Sequence, residues 1–398
     1  MSIEWLSRPV AIGKKKAPNR IVYQPTEANN CDAEGSPTAH TVKKYLDIAR
    51  GRPGIIHIES IDVTLKTQAR SNRMVILDRN MKGLENLVAE IRKVNRDSLV
   101  VFQLSHAGRL SDPAFKPPMY VYAPAGEKVP VMSTAEVGAV REEFVAAAKR
   151  AWKVGADGVD FKQAHAFIGD DFLHPANQRP DRYGGSWENR TRFFRETMAR
   201  MREEITDRSF LIGTRISPYE AVPGAFGTSG PGEIFEDLSE PLAFAKMLEN
   251  AGIDFINVSG GSAAGNLELL MPTAAYPEGV FRHFSWTRAI KKSVTIPVIG
   301  SGYSRLRNGD SSLHVGDREQ STLLYWAEKN LKDGNVDLVG IGRQAVADPE
   351  FARKVFEGRL NEIKWCTTCG ECTMLLGGNK RVGCTIYDPE YKGALKKG

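Results

Sequence analysis

IPVIGSGYS (residues 296–304) and LVGIGRQAVADP (residues 338–349) share one pattern: a short apolar run that stops at a glycine turn. Runs this short, rich in Val and Ile and bounded by glycine, read as buried strands. The turns leave backbone N–H groups approachable, and Arg343 adds a cation beside the second one. A (β/α)₈ barrel places such a pair after its seventh and eighth strands to hold a phosphate. That reading demands six earlier strands, and six candidates precede the pair: NRIVYQP (19–25), GIIHIES (54–60), LVVFQLS (99–105), GVDFK (158–162), FLIGTRIS (210–217) and DFINVSG (254–260).

Helical patterns alternate with these runs. They cover Thr38–Arg50 after a GSPT turn, Thr134–Val154, Glu188–Ile205, Glu240–Ala251 and Gln320–Leu331, and STAEV supplies a capping box for the second. Eight strands with intervening helices predict a closed parallel TIM barrel, an α/β fold, over an open sheet. A barrel takes about 250 residues, which leaves roughly a hundred for termini and loops. The longer loops, 106–133, 163–187, 218–238 and 260–284, all follow the carboxyl ends of strands, where barrel enzymes keep their chemistry. The expected division is a barrel over 1–360 and a cysteine-rich C-terminal segment over 361–398, packed on the barrel.

With 41% hydrophobic and 26% charged residues in 398, the composition is that of a soluble globular enzyme. The net charge of +6 is spread out. The short basic runs Lys14-Lys15-Lys16, Lys291-Lys292 and Lys396-Lys397 read as solvated termini and helix ends, so no nucleic-acid partner is expected. No stretch reaches the ~18 apolar residues of a membrane span, and MSIEWLSRPV has no apolar core for a signal peptide. A cytoplasmic homo-oligomer is the expectation. In a reducing compartment, clustered thiols favour metal ligation over a disulfide.

At the strand ends stand an amide (Gln103), hydroxyls (Thr26, Ser60), donors (Lys162, His165) and a cation (Arg215). A flavin suits this set, because its pyrimidine edge is amide-like and its reduced form gathers negative charge that an arginine can meet. Four of the five cysteines fall together as Cys366, Cys369, Cys372 and, after eleven more residues, Cys384. A CxxCxxC triplet with one remote ligand is closer to a ferredoxin-type cubane than to paired zinc knuckles, with zinc and a redox-active thiol pair as the competing readings. Cys31 reads as structural.

The runs NRIVYQPTEANNCDAEGSPT, QLSHAGR, NQRPDRYGGSWENRTR (177–192), RISP, VSGG and the GSG/GIGR pair resemble the Old Yellow Enzyme family of flavin reductases, collinearly from about residue 5 onward. The tail resembles that family's iron–sulfur branch, which includes 2,4-dienoyl-CoA reductase, trimethylamine dehydrogenase and clostridial enoate reductase. The resemblance implies FMN, with Pro25, Thr26 and Glu27 along its ring, Ser60 beside it, Gln103 and Arg215 at its edge, and Ser301, Gly302, Gly342 and Arg343 at its phosphate. It implies a [4Fe–4S] cluster on Cys366, Cys369, Cys372 and Cys384, although relatives commonly space the first three as CxxCxxxC. Many members carry His-x-x-His or His-x-x-Asn and then a proton-donating tyrosine on the fourth-strand loop, and here those positions read Lys162, His165 and Phe167.

A lysine there favours a carboxylate, a thioester or another electron-rich acceptor over a simple ketone. The proton donor is left among His165, Tyr219, Tyr276 and solvent, and His106 reads as architectural. The expected activity is hydride transfer from FMN to an activated C=C bond of a small substrate. No strand–GxGxxG–helix fingerprint occurs and the chain stops shortly after Cys384, so electrons are expected through the cluster from a separate protein, or from NAD(P)H. The alternatives are an amine dehydrogenase or demethylase of the trimethylamine dehydrogenase type and a non-catalytic zinc-binding barrel. A tRNA-reducing barrel would need a basic face that the sequence lacks.

Overall fold

Residues 3–273, 278–310 and 319–395 are described in the computed structural model; Tyr276 and the Lys396-Lys397 pair lie outside them. Eight parallel strands close into a barrel: β1 (Ile21–Tyr23), β2 (Ile55–Asp62), β3 (Leu99–Ser105), β4 (Gly158–Gln163), β5 (Leu211–Ile216), β6 (Phe255–Val258), β7 (Val298–Gly300) and β8 (Leu338–Ile341). β8 pairs with both β7 and β1, which shuts the ring. Each of the eight coincides with a run read from the sequence.

The interior of the ring is filled by Val22, Ile55, Leu99, Val101, Leu211, Phe255, Ile299 and Leu338. Ile12 and Ala17 join this cluster from an N-terminal hairpin, Val10–Ile12 paired antiparallel with Lys15–Ala17. That hairpin is not foreseen from GKKKAP, whose charged residues mask two three-residue strands. A second, larger core lies between the strands and the surrounding helices. At about 25 cal/mol per Å² of apolar surface removed from water, burial of this kind dominates the stability of the barrel.

The helices follow the sequence with local corrections. Thr134–Lys153 starts at Ser133, whose side chain accepts from the Glu136 backbone N–H while Glu136 reaches back, as STAEV predicts. The expected helix Glu188–Ile205 is two, Trp187–Arg190 and Arg192–Glu204. Instead of beginning at Gln320, the late helix runs Leu323–Lys332, because Thr322 caps the Tyr325 N–H. Met81–Val94 and Gly279–Ser293 are further helices that the pattern reading passed over.

The C-terminal residues strap across the carboxyl end of the barrel. Val382 N–H donates to the Ala28 carbonyl, Ser71 N–H to Asn379 Oδ1, and Cys366 N–H to Gln344 Oε1 at 2.9 Å. These contacts tie the tail to the loops after β1, β2 and β8. No helix among the described residues is long and apolar enough to cross a membrane.

Candidate active site

Parallel pairing sets Lys162 beside Arg215, and Arg215 beside Asn257, so β4, β5 and β6 present these three polar residues at one level. Around that level lies a cavity that opens to solvent. Pro25, Thr26, Glu27, Gln103, Lys162, His165, Arg215, Ser301, Gly302, Gly342 and Arg343 all line it, as does Cys372. Ser60 does not. It is buried, and its hydroxyl accepts from Lys162 Nζ at 3.2 Å.

One side of the cavity is an amide network. Gln24 and Asn257 exchange two hydrogen bonds, at 2.9 and 2.8 Å, and Gln103 Nε2 donates to Asp160 Oδ2 at 2.9 Å. Arg215 joins through Nη1 to Gln24 Oε1 (3.2 Å) and Nη2 to Ser259 Oγ (3.1 Å). Burial pulls its guanidinium down to about 10, against the pull of Asp160. The Arg215 Nε–H is buried without a partner. Gln24, Asp160 and Asn257 escape the sequence reading. The available signal was a polar residue inside an apolar strand, as in RIVYQ, GVDF and FINV.

The ends of β7 and β8 supply the glycine turns. Gly302 has φ +96°, which side chains rarely adopt. A Cβ at Gly340 would stand 2.1 Å from Gln24 Nε2 and 2.7 Å from the Gly300 carbonyl. Arg343 donates to the Pro272 carbonyl at 2.7 Å and so is held at the cavity wall. A partnerless guanidinium N–H, a left-handed glycine turn at Gly302 and a fixed cation fit a flavin with its phosphate.

The other side is ionic. Glu27 faces Arg70 Nη1 and Arg73 Nη1, each at 2.5 Å, and Lys162 Nζ at 3.9 Å. Burial opposes ionisation of Glu27, but Arg73, Arg70 and Lys162 outweigh it and hold its carboxyl well below the usual range. Arg73 is itself fully buried and forks onto Asp62 at 2.7 and 2.8 Å. Arg70 and Arg73 lie in the connection after β2, and no pattern marks them in the sequence.

Lys162 stands 3.3 Å above the Phe167 ring centroid. Burial brings its ammonium down to about 7; Glu27 resists, while Arg73, Arg215 and Arg70 add to the fall. Burial, reinforced by Arg215, Lys162 and His283, pushes the His165 imidazole well below its ordinary value. Its Nε2 is buried with no hydrogen-bond partner, and its backbone is left-handed at φ 67°, followed by Ala166 at 63°. Of the proton-donor candidates, Tyr219 is committed to the Ile234 carbonyl at 2.6 Å and does not line the cavity. His106 is fully buried, bonded to the Gly108 N–H at 3.1 Å, and architectural as expected.

A smaller adjoining cavity of about 300 Å³ is lined by Cys366, Cys369, Cys372 and Cys384, with Arg343 in its wall. Thr368 N–H points at Cys366 Sγ (3.4 Å). Four thiols that line one small cavity can hold a metal centre, either a zinc ion or an iron–sulfur cluster. Cys31, remote from these, contacts Thr41 Oγ1 in the core.

A barrel mouth of this design is that of an FMN-dependent oxidoreductase. The chain belongs to the NADH:flavin oxidoreductase / NADH oxidase family, which it matches over residues 6–362. It is 30% identical to an NADH oxidase of Thermoanaerobacter brockii over 94% of this chain and 54% of that one. It is 28% identical to an N,N-dimethylglycine/sarcosine dehydrogenase of Chromohalobacter salexigens, over 94% of this chain and 51% of the relative. Among solved structures, a 2-naphthoyl-CoA reductase in complex with 2-naphthoyl-CoA superposes with a TM-score of 0.83, covering 98% of this chain and 58% of the other at 22% identity, a likeness of fold. The chain thus spans about half the length of these relatives.

Proposed function

We propose that the protein is an FMN- and [4Fe–4S]-containing ene-reductase acting on a small substrate whose C=C bond is activated by a carboxylate, thioester or comparable group. One observation carries the reading: a single cavity is lined by the flavin-edge pair Gln103 and Arg215, by the donors Lys162 and His165, and by Cys372 of the cysteine pocket. When bound, FMN would supply the hydride and the cluster would supply single electrons. Cys366, Cys369, Cys372 and Cys384 would hold the cluster, and Pro25, Thr26, Gln103, Arg215, Ser301, Gly302, Gly342 and Arg343 the flavin.

The chain's own groups divide the remaining work. Lys162, held between Ser60 and the Phe167 face, aims a positive charge into the cavity, where charge builds on the activating group. His165 offers an unsatisfied Nε2 beside it. Either nitrogen can bind the activating oxygen, and Lys162 can also give up a proton near neutral pH, which compensates for a phenylalanine at the expected tyrosine position. A cationic amine substrate would need a free aromatic face, and the Phe167 face is already taken by the Lys162 ammonium. Reducing equivalents would derive from NAD(P)H, as membership of the NADH:flavin oxidoreductase family implies.

Photoreduced enzyme, mixed without oxygen with a panel of enoates, enones and enoyl thioesters, should be reoxidised stoichiometrically by the acidic or thioester members. Lys162→Met should slow that step roughly 10²–10⁴-fold. If no alkene reoxidises the enzyme while tertiary amines reduce its oxidised form, the amine dehydrogenase reading replaces this one. A visible charge-transfer band that bleaches on reduction is expected beside the flavin bands; stoichiometric zinc on the cysteines would remove the cluster from the proposal.

A further inference from the structure

Behind the substrate loop, outside the wall of the flavin cavity, Asp170, His174 and Glu220 converge, and all three are fully buried. One ligand atom from each lies within 4.8 Å of the other two. His174 Nε2 is 3.3 Å from Glu220 Oε2 and 3.9 Å from Asp170 Oδ2. Yet His174 Nε2, both Glu220 oxygens and Asp170 Oδ1 have no hydrogen-bond partner. Unpaired buried polar atoms are costly, so a cluster of them around one imidazole calls for a proton or a cation between them.

The surroundings define its charge. Asp171 pairs with Arg109 at 3.0 Å, which leaves Asp170 and Glu220 to be balanced by the His174 imidazole or by an added cation. On the far side of the imidazole, Nδ1 meets the Tyr122 hydroxyl at 2.8 Å. That contact fixes the ring and frees Nε2, as outer-sphere partners of metal-bound histidines do. Bonds of ~2.0–2.2 Å to nitrogen and oxygen would put neighbouring ligand atoms about 3–3.6 Å apart; the His174–Glu220 contact of 3.3 Å is already in that range, and the His174–Asp170 contact of 3.9 Å would have to close slightly.

We propose that Asp170, His174 and Glu220 form a mononuclear site for a divalent transition ion of the zinc class. With the ion, the knot is electrically neutral: two carboxylates against a double charge, and Asp171 against Arg109. None of the three residues lines the flavin cavity, so the site is structural. Its consequence for the loop is mechanical. Asp170 Oδ2 accepts the Ala166 N–H at 2.8 Å, and Ala166 follows His165 in the left-handed pair. An ion that immobilises Asp170 therefore holds the strained turn that presents His165. Asp170 and Glu220 act as positioning residues, whatever the enzyme reduces.

The test is elemental analysis of the holoenzyme purified from medium supplemented with zinc, followed by dialysis against Co²⁺. Wild type should carry close to one non-iron divalent ion per chain, or take up one Co²⁺ with visible d–d bands. His174→Gln and Asp170→Asn should lose it roughly tenfold or more, with flavin content and the iron of the cysteine segment unchanged. Asp170→Asn retains an acceptor for Ala166 and keeps the test alive if His174→Gln fails to fold. Wild type should also lose thermal stability on treatment with a chelator, while the variants should not respond. Equal zinc or cobalt in wild type and both variants, or none in any of them, overturns the proposal and leaves a shared proton as the occupant.

Discussion

The two sides of the cavity handle buried polarity differently. On one side Gln24, Asn257, Gln103 and Asp160 are linked by hydrogen bonds of 2.8–2.9 Å, largely through neutral amides, with Arg215 resting on them. On the other, Glu27, Arg70, Arg73 and Lys162 balance by full charges. Amides hold geometry without a net field, which suits a cofactor bound alike in every turnover. Ion pairs hold a field, and a field selects among substrates. The amide side should therefore govern flavin retention, and the ionic side substrate choice and pH dependence.

The largest break in that contrast is Glu27→Gln. It leaves Arg70 and Lys162 without their carboxylate and Arg73 with Asp62 alone. Removing one partner of a buried ionic group costs about 3–5 kcal/mol, read from urea unfolding of the holoenzyme. A loss below ~1 kcal/mol would mean the cluster is solvated and the contrast false. Next comes Asn257→Leu, which removes both hydrogen bonds between Asn257 and Gln24, leaves Gln24 only its longer bonds to Ser301 and Arg215, and costs about 1–3 kcal/mol. Flavin should dissociate more readily, with every substrate affected alike. A changed ranking of substrates would place specificity on the amide side instead.

The same contrast separates what the sequence discloses from what it conceals. Strands and glycine turns are local, so all eight barrel strands are legible, and with them the levels of Gln103, Lys162 and Arg215. The hairpin at Val10–Ala17 is not, because its buried Ile12 and Ala17 are each single residues in a charged context. Ser60 is displaced from its expected place for a related reason: its partner is Lys162, a residue 102 positions away. Arg70 and Arg73 acquire meaning only through Glu27, and Asp170, His174 and Glu220 only through one another. Long-range pairing leaves no period to read.

The smallest effect is the most discriminating. Lys162 sits with its ammonium brought down to about 7 by burial, and the Phe167 face at 3.3 Å favours the charged form. If charged Lys162 serves the reaction, the rate falls as pH rises through about 7. Phe167→Leu removes a cation–π contact of about 0.5–1 kcal/mol, so the midpoint should move down by less than about one pH unit. The stability sign runs the other way. Between about 7 and the ordinary 10.5, the unfolded chain binds more protons at this site than the folded one, so this group's contribution to stability rises with pH. Lys162→Met should abolish both the rate midpoint and that stability slope, while Phe167→Leu should keep both and shift only where they begin. A midpoint that stays put in both variants would assign the titration to another group and detach pH dependence from the ionic side of the cavity.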